Sequence, residues 1–153
     1  MKIIHLFYAC FIIIFFPSCS GNEELITYYK FKDQTWPRFN ILHLEIPVRL
    51  QRKSYDVTLF IRHTKEYEFD ALDFNMLMTT PSGEERIKEY HMNIKKKDGG
   101  FIGPCNKDSC EVTINLKKQL MLTKGVLKIE IENLVPRLEL NGLLSIGIRL
   151  RPS

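Results

Sequence analysis

Residues 42–50 read LHLEIPVRL, and this stretch decides the fold. Apolar side chains occupy every second position, with His43, Glu45 and Arg49 among the polar residues between them. A period of two places alternate side chains on opposite faces of an extended strand, so we expect one face to be buried. Pro47 lies within the run. Because proline cannot donate a ladder hydrogen bond, it predicts an edge strand or a bulge.

The same alternation recurs along most of the chain and predicts further strands. Their inward apolar side chains are expected at residues 55–61, 72–78, 90–94, 112–116, 127–131 and 144–150. In the last of these strands, Gly147 is expected to face outward. The chain is therefore predicted to be almost entirely β-structure.

Turn-forming residues separate these strands. Residues 80–83 (TPSG) have proline second and glycine fourth, as a type I turn prefers, and residues 98–100 (DGG) give a second turn signal. We predict that residues 117–124 form a short connection or a single helical turn. Residues 134–142 are predicted to form a loop.

About seven evenly spaced strands, with no stretch of helical period, predict an antiparallel β-sandwich of about seven to eight strands. Two sheets that each bury one face against the other account for the alternating aliphatic residues. Jelly-roll-like and immunoglobulin-like strand orders both fit this pattern. A chain of 153 residues has room for one such domain, which excludes a multidomain enzyme or a helical repeat array.

Residues 1–18 have the features of a secretory signal peptide. Lys2 supplies a basic start, and residues 6–16 are an unbroken apolar run that is too short to span a bilayer as a helix. Pro17 and Ser18 then end the run. We therefore expect the sandwich domain to be exported.

Cys19 directly follows the small residue Ser18, as the modified cysteine does in the lipobox of bacterial lipoproteins. Such a cysteine becomes the first residue and carries acyl chains, each methylene of which contributes about 0.8 kcal/mol to membrane binding. Residues 20–24 (SGNEE) are typical of a polar tether behind it. A plain cleavage site and an uncleaved anchor helix are the alternatives to lipidation at Cys19.

An aromatic segment follows the tether, and we predict that it is an extended lead-in. The predicted organisation is thus a signal peptide (1–18), a lipidated cysteine with tether and lead-in (19–37), and the sandwich (38–153). Trp36, Tyr28 and Tyr29 could form a platform on which sugar rings stack, as in carbohydrate-binding modules. Alternatively, they cover one end of the sandwich or anchor the tether.

Cys105 and Cys110 enclose the turn-forming residues NKDS. In an exported protein two such cysteines predict a disulfide that closes a short loop. Chain entropy gives it on the order of 2 kcal/mol of stabilisation. Free thiols remain an alternative, whereas no neighbouring residue at ligand spacing favours a metal site.

No motif predicts catalysis, a cofactor or a small-molecule substrate. His43, His63 and His91 are scattered, and the sequence contains neither a zinc-binding helix motif nor a nucleophile elbow nor a phosphate-binding loop. Residues 95–97 (KKK) precede a turn and are expected to form a solvated hairpin tip. A net charge of +4 is too small for nucleic-acid binding.

Several short motifs, in a fixed order, resemble those of the GldH family of gliding-motility lipoproteins from Bacteroidetes. They follow Cys19 and Trp36 and comprise FIRH at 60–63, YEF at 67–69, LDF at 72–74, PSG at 81–83, DGGFIG at 98–103 and LNGLLSIGI at 140–148. The resemblance covers nearly the whole chain after the leader. The Cys105–Cys110 loop is not part of it.

The resemblance implies a membrane-attached lipoprotein of the gliding machinery, without enzymatic activity. We therefore expect a protein bound to a cell-envelope membrane, with the outer membrane favoured, through acyl chains on Cys19. Its other partners are expected to be envelope proteins, which it contacts directly. A glycan-binding surface lipoprotein and a structural envelope lipoprotein in a non-gliding host are the alternatives.

Overall fold

Antiparallel strands make up nearly all regular structure in residues 24–153, the part of the chain that this computed structural model describes. They are β1 (Leu25–Lys30), β2 (Thr35–Pro37), β3 (Leu42–Val48), β4 (Lys53–Thr64), β5 (Ala71–Thr79), β6 (Glu85–Asn93), β7 (Ser109–Leu122), β8 (Gly125–Asn133), β9 (Glu139–Asn141) and β10 (Leu143–Pro152). The predicted signal peptide and Cys19 lie outside the described residues. Within 24–153, no helix has the length and apolar character needed to cross a membrane.

The eight longer strands form two four-stranded sheets, and the short strands β2 and β9 pair separately. The first sheet has the order β1-β10-β4-β7 and the second the order β3-β8-β5-β6. All neighbours are antiparallel. The predicted antiparallel β-sandwich is confirmed. Of the two strand orders that the sequence left open, this one is the jelly roll, because successive long strands cross between the sheets everywhere except at the β5–β6 hairpin.

The inner faces of the two sheets form one apolar core. Strand β3 shows why, because the four apolar side chains from Leu42 to Val48 are buried and the residues between them are exposed. Leu50 lies beyond the end of β3 and is exposed, contrary to the alternation. Pro47 lies on an edge strand of the second sheet, as predicted.

Strand β7 continues through the residues for which we predicted a connection or helical turn, so that prediction is wrong. It runs from Ser109 to Leu122 and pairs with β4 along its length. The register shifts opposite Val57, and Gln119 has a positive φ of 51°. Asp56 Oδ1 accepts a hydrogen bond of 2.9 Å from the Gln119 backbone N–H. Lys118 and Gln119 are exposed there, before Leu120 and Leu122 are buried again, and this polar interruption is why residues 117–124 do not read as a strand.

The aromatic segment that we separated from the sandwich pairs with it in the structure. Strand β1 lies at the edge of the first sheet, with Leu25 opposite Leu150 and Lys30 opposite Ser145. Strand β2 pairs with β9, which places Trp36 opposite Leu140. The described sandwich therefore begins at β1. The face of this edge strand that packs on the sandwich is only partly covered. The strand therefore needs few apolar residues, and the alternation in its sequence is weak.

Gly147 faces away from the core, as predicted, yet it is covered. Its register neighbours are Tyr28 on β1 and Phe60 on β4. A Cβ atom at Gly147 would lie 2.5 Å from Phe60 Cζ, 2.5 Å from the Thr27 carbonyl oxygen and 2.7 Å from Tyr28 Cβ. Only glycine lets the Phe60 ring lie across the sheet here.

Replacement of Gly147 by alanine is expected to lower the free energy of unfolding by about 1–3 kcal/mol, because the added methyl group overpacks this site. Urea unfolding followed by circular dichroism measures it. Gly100→Ala is the control, since its Cβ would meet only the Asp98 side chain in an exposed turn, and we expect a change within about 0.5 kcal/mol. Equal stability of the two variants would contradict the close approach at Gly147.

Candidate functional site

The side of the first sheet that faces away from the core carries an ordered group of aromatic and charged side chains. We call this side the outer face. Its central residues come from all four strands and are Ile26, Tyr28, Phe60, Arg62, Glu111 and Arg149. The register places Tyr28, Gly147 and Phe60 in one row across the sheet, and Arg62 beside Glu111 in the next.

Glu111 fixes two arginines on the outer face. Its carboxylate accepts a hydrogen bond of 2.8 Å from Arg62 Nε and one of 3.5 Å from Arg149 Nη2. The guanidinium carbons of Arg62 and Arg149 lie 5.8 and 5.2 Å from the centroid of the Phe60 ring. These contacts leave Phe60 only 3% exposed although it points away from the core.

Beside this fixed layer, Tyr28 and Ile26 project into solvent. Their side chains are 62% and 50% exposed, and no element among residues 24–153 covers them. Tyrosine and arginine are enriched where proteins bind one another, because they combine apolar contact area with hydrogen-bonding groups. The arrangement therefore suits binding to another surface rather than chemistry.

The structure does not bring the three aromatic residues of the predicted sugar platform together. Trp36 is completely buried, and its indole N–H donates to the Asn40 carbonyl at 2.8 Å. Tyr28 belongs to the outer face, while Tyr29 points the other way, with its ring centroid 5.3 Å from that of Phe31. Because Trp36 has no free ring face, a shared stacking platform is incompatible with this arrangement.

Cys105 and Cys110 are joined by a disulfide at the start of β7. The enclosed turn is held by Asn106, whose side-chain oxygen accepts hydrogen bonds from the backbone N–H groups of Asp108 and Ser109. Cys110 is buried and lies opposite His63 of β4. The bridge thus closes an exposed loop directly before β7.

His63 is fully buried at the same end. Its Nδ1 lies 2.8 Å from the Thr64 carbonyl oxygen, so Nδ1 must carry the proton that makes this hydrogen bond. Burial lowers the pKa of His63, and the nearby positive charge of Lys95 acts in the same direction. The Nε2 of His63 and the hydroxyl of Tyr67 have no hydrogen-bond partner within the described chain. His63 is therefore a neutral core residue.

The other two histidines of the described chain lie elsewhere on the surface. His91 pairs with Asp73, and this hydrogen bond raises the pKa of His91. His43 lies 3.7 Å from Glu130. Between residues 24 and 153, no group of three or more potential ligand side chains is arranged to hold a metal ion.

A cleft of about 680 Å³ opens at the end of the sandwich where β1 ends and β4 ends. Its charged lining residues come from separate loops and are Asp33, Glu66, Glu68, Arg137 and Glu139. The cleft has no signature in the sequence, because most of these residues are far apart in the chain. Sequence analysis missed Phe60, although an apolar residue at an outward position was the one available signal.

Comparison with known proteins identifies the family. Residues 25–150 match the family described as GldH lipoprotein. The chain belongs to the GldH lipoprotein family. This confirms the resemblance inferred from the sequence motifs.

One relative of this GldH-family chain is the gliding motility lipoprotein GldH of Flavobacterium johnsoniae, which is 25% identical over 140 residues and 87% covered on both sides. Neither this name nor that of the family denotes an enzyme. A solved carbohydrate-binding module specific for non-crystalline cellulose is similar over 82% of this chain and 73% of its own, at 15% identity and a TM-score of 0.43. A similarity that remote carries no argument about function.

Trp36→Ala is expected to lower the free energy of unfolding of this GldH-family protein by about 3–5 kcal/mol, as the loss of a fully buried ring does. Tyr28→Ala, on the exposed outer face, is expected to change it by less than about 1 kcal/mol. Because Trp36 is the only tryptophan, the unfolding is followed by circular dichroism. A stable Trp36→Ala variant would show that the ring is not part of the core.

The stability of the protein is expected to fall as the pH drops below about 6.5, because the unfolded chain binds a proton that buried His63 resists. His63→Gln should reduce this pH dependence. His91→Gln is the control and should change the pH dependence in the opposite direction. The raised pKa of His91 stabilises the folded state below pH 6.5, and that stabilisation is lost at higher pH. Unfolding curves between about pH 4.5 and 8 measure the pH dependence of the free energy of unfolding for both variants. A pH dependence that is unchanged in His63→Gln would contradict the buried neutral state of His63.

Proposed function

We propose that this protein is a non-enzymatic component of the gliding-motility machinery that acts by binding another cell-envelope protein through its outer face. Family membership supports the place in this machinery, because the family is one of lipoproteins and a curated relative is named for gliding motility. The proposed binding of another protein rests on the exposed side chains of Tyr28 and Ile26, which lie beside the fixed arginines.

The outer face is organised before any partner arrives. Glu111 holds Arg62 and Arg149 against Phe60, so these side chains lose little further conformational freedom on binding. Tyr28, on the edge strand β1, then offers a rigid ring and a hydroxyl group beside this fixed layer. Tyrosine and arginine are enriched among the residues that dominate the energy of protein interfaces.

The anchor of this proposal is acylation of Cys19 after removal of residues 1–18. Because β1 starts at Leu25, the polar tether of residues 20–24 would lead directly into the sandwich, without a separate lead-in up to residue 37. The acyl chains would hold the sandwich on a cell-envelope membrane, with the outer membrane favoured. No cofactor or small-molecule substrate is part of the proposal.

The test replaces Tyr28 by aspartate in the chromosomal copy of a gliding host. A buried charge at the centre of the interface should abolish gliding while the amount of membrane-bound protein stays normal. Ile87→Asp is the matched control, because Ile87 is 73% exposed on β6 of the second sheet. We expect this control strain to glide.

A photo-reactive residue at position 26 gives a second readout. It should cross-link to one defined envelope protein in wild-type cells and lose this product when Tyr28→Asp is added. The same probe at position 87 should give no such product. Normal gliding of the Tyr28→Asp strain, or cross-linking equal at positions 26 and 87, would refute the outer face as the binding site.

A further inference from the structure

The chain enters the sandwich at one particular end. Glu24 lies 3.4 Å from Arg149 Nε and 3.2 Å from Arg151 Nη2, and the next residue, Leu25, pairs with Leu150. These ion pairs hold the start of the described chain against the last residues of β10. We call this the tether end.

Two turns lie together at the tether end. The β3–β4 turn (residues 49–52) contacts the β7–β8 turn, where the Lys124 backbone N–H donates to Gln51 Oε1 at 3.2 Å. The C-terminus is fixed there too, since the Ser153 N–H donates to the Ser54 carbonyl at 3.0 Å. The tether end is therefore a continuous surface rather than separate loops.

The exposed charges of these turns are basic. Arg49, Arg52 and Lys124, with Lys118 in the last part of strand β7, are exposed and form no ion pair within residues 24–153. The neighbouring acids are already engaged, because Glu24 pairs with arginines and Asp56 accepts hydrogen bonds from Gln119 and Ser153. The pKa of Asp56 is lowered by these hydrogen bonds and also by the charge of Lys118, so of the four cations Arg49, Arg52 and Lys124 are the ones without an acidic partner among residues 24–153.

Beyond this basic surface, the β5–β6 turn is followed by two glutamates. Glu84 and Glu85 follow the β5–β6 turn, and Glu84 pairs with Arg86 at 2.7 Å. The cleft described above, which we call the acidic cleft because Asp33, Glu66, Glu68 and Glu139 line it, lies at the opposite end of the strands. The positive charge of the tether end is thus concentrated around the β3–β4 and β7–β8 turns.

Apolar side chains project among these cations. Met121 is 60% exposed, and Leu50 and Val126 are also exposed. In the sequence, Leu50 lies between Arg49 and Arg52, and Met121 lies between Lys118 and Lys124. Surfaces that combine lysine and arginine with exposed apolar side chains bind anionic lipid headgroups and insert the apolar groups at the acyl boundary.

The length of the tether limits how far this end can be from a bilayer. If Cys19 carries acyl chains, as the proposed function holds, residues 19–23 can extend over no more than about 18 Å. This short segment leads into Glu24, whose ion pairs with Arg149 and Arg151 fix the start of the described chain at the basic end. We infer that the tether end is a membrane-contact surface that lies on anionic phospholipid headgroups, with Leu50 and Met121 reaching into the interface.

The experiment uses the mature lipoprotein reconstituted in vesicles, after its mass has established the acyl chains on Cys19. A fluorophore on Met121→Cys reports contact with spin-labelled lipids by quenching. In vesicles that contain phosphatidylglycerol we expect quenching at position 121. It should be lost in the triple variant Arg49→Glu, Arg52→Glu, Lys124→Glu, and weakened in 1 M salt, where the Debye length falls to about 3 Å. The control probe is Lys97→Cys, near the opposite end, which should stay unquenched throughout.

Each result decides the inference. Equal quenching at positions 121 and 97, or no quenching at 121, would overturn the orientation. Quenching at 121 that is the same in purely phosphatidylcholine vesicles and in the triple variant would overturn the role of anionic headgroups. Absence of acyl chains on Cys19 would remove the anchor on which both this inference and the proposed membrane attachment rest. Loss of gliding in Tyr28→Asp is independent of all three results, so failure of the outer-face proposal is recognised separately.

Discussion

Strand β10 is buried on both faces and paired along both edges, and much of the structure depends on this. On its inner face, Ile146, Ile148 and Leu150 pack into the core between the sheets. On its outer face, Gly147 lies beneath Phe60. Its two neighbours are β4 on one side and β1 on the other. The aromatic segment after the tether therefore becomes a strand by completing the free edge of β10.

The outer face follows from the same strand. Because Gly147 has no side chain, the tip of the Phe60 ring and Tyr28 Cβ both come close to the Gly147 backbone. Arg149, the next outward residue of β10, then stacks over that ring and meets Glu111 across the sheet. A larger residue in place of Gly147 would lift Phe60 and separate the arginines from their aromatic support. The candidate binding surface is thus a consequence of backbone geometry in the centre of the sheet.

Sequence alone gives most of the fold because burial on one face of a strand imposes a period of two. This holds for β3, where each apolar residue from Leu42 to Val48 is buried. It fails in β7, because the exposed residues Lys117, Lys118 and Gln119 interrupt the apolar alternation at the irregularity. It is weak in β1, where even the inward residues Leu25 and Thr27 are only partly buried. Strand order was beyond reach, since both sandwich orders bury the same residues.

The candidate site was less accessible to sequence reasoning than the fold. Trp36 and Tyr28 look alike in sequence, as aromatic residues of one segment, yet the first is buried and the second exposed. Packing against Phe31 and pairing of β2 with β9 decide the difference, and neither is local in sequence. Phe60 was the detectable signal, because an apolar residue at an outward position beside a glycine indicates a covered patch.

The two proposed surfaces constrain one another. Strand β1 rises about 3.3 Å per residue, which places Tyr28 about 10 Å along the sheet from Leu25 and the tether end. If that end lies on the headgroups, a partner that contacts Tyr28 must itself be close to the bilayer. A membrane protein or a second lipid-anchored protein satisfies this, whereas a partner held far above the membrane would meet the acidic cleft at the other end first. The short tether therefore selects the class of partner as well as the orientation of the sandwich.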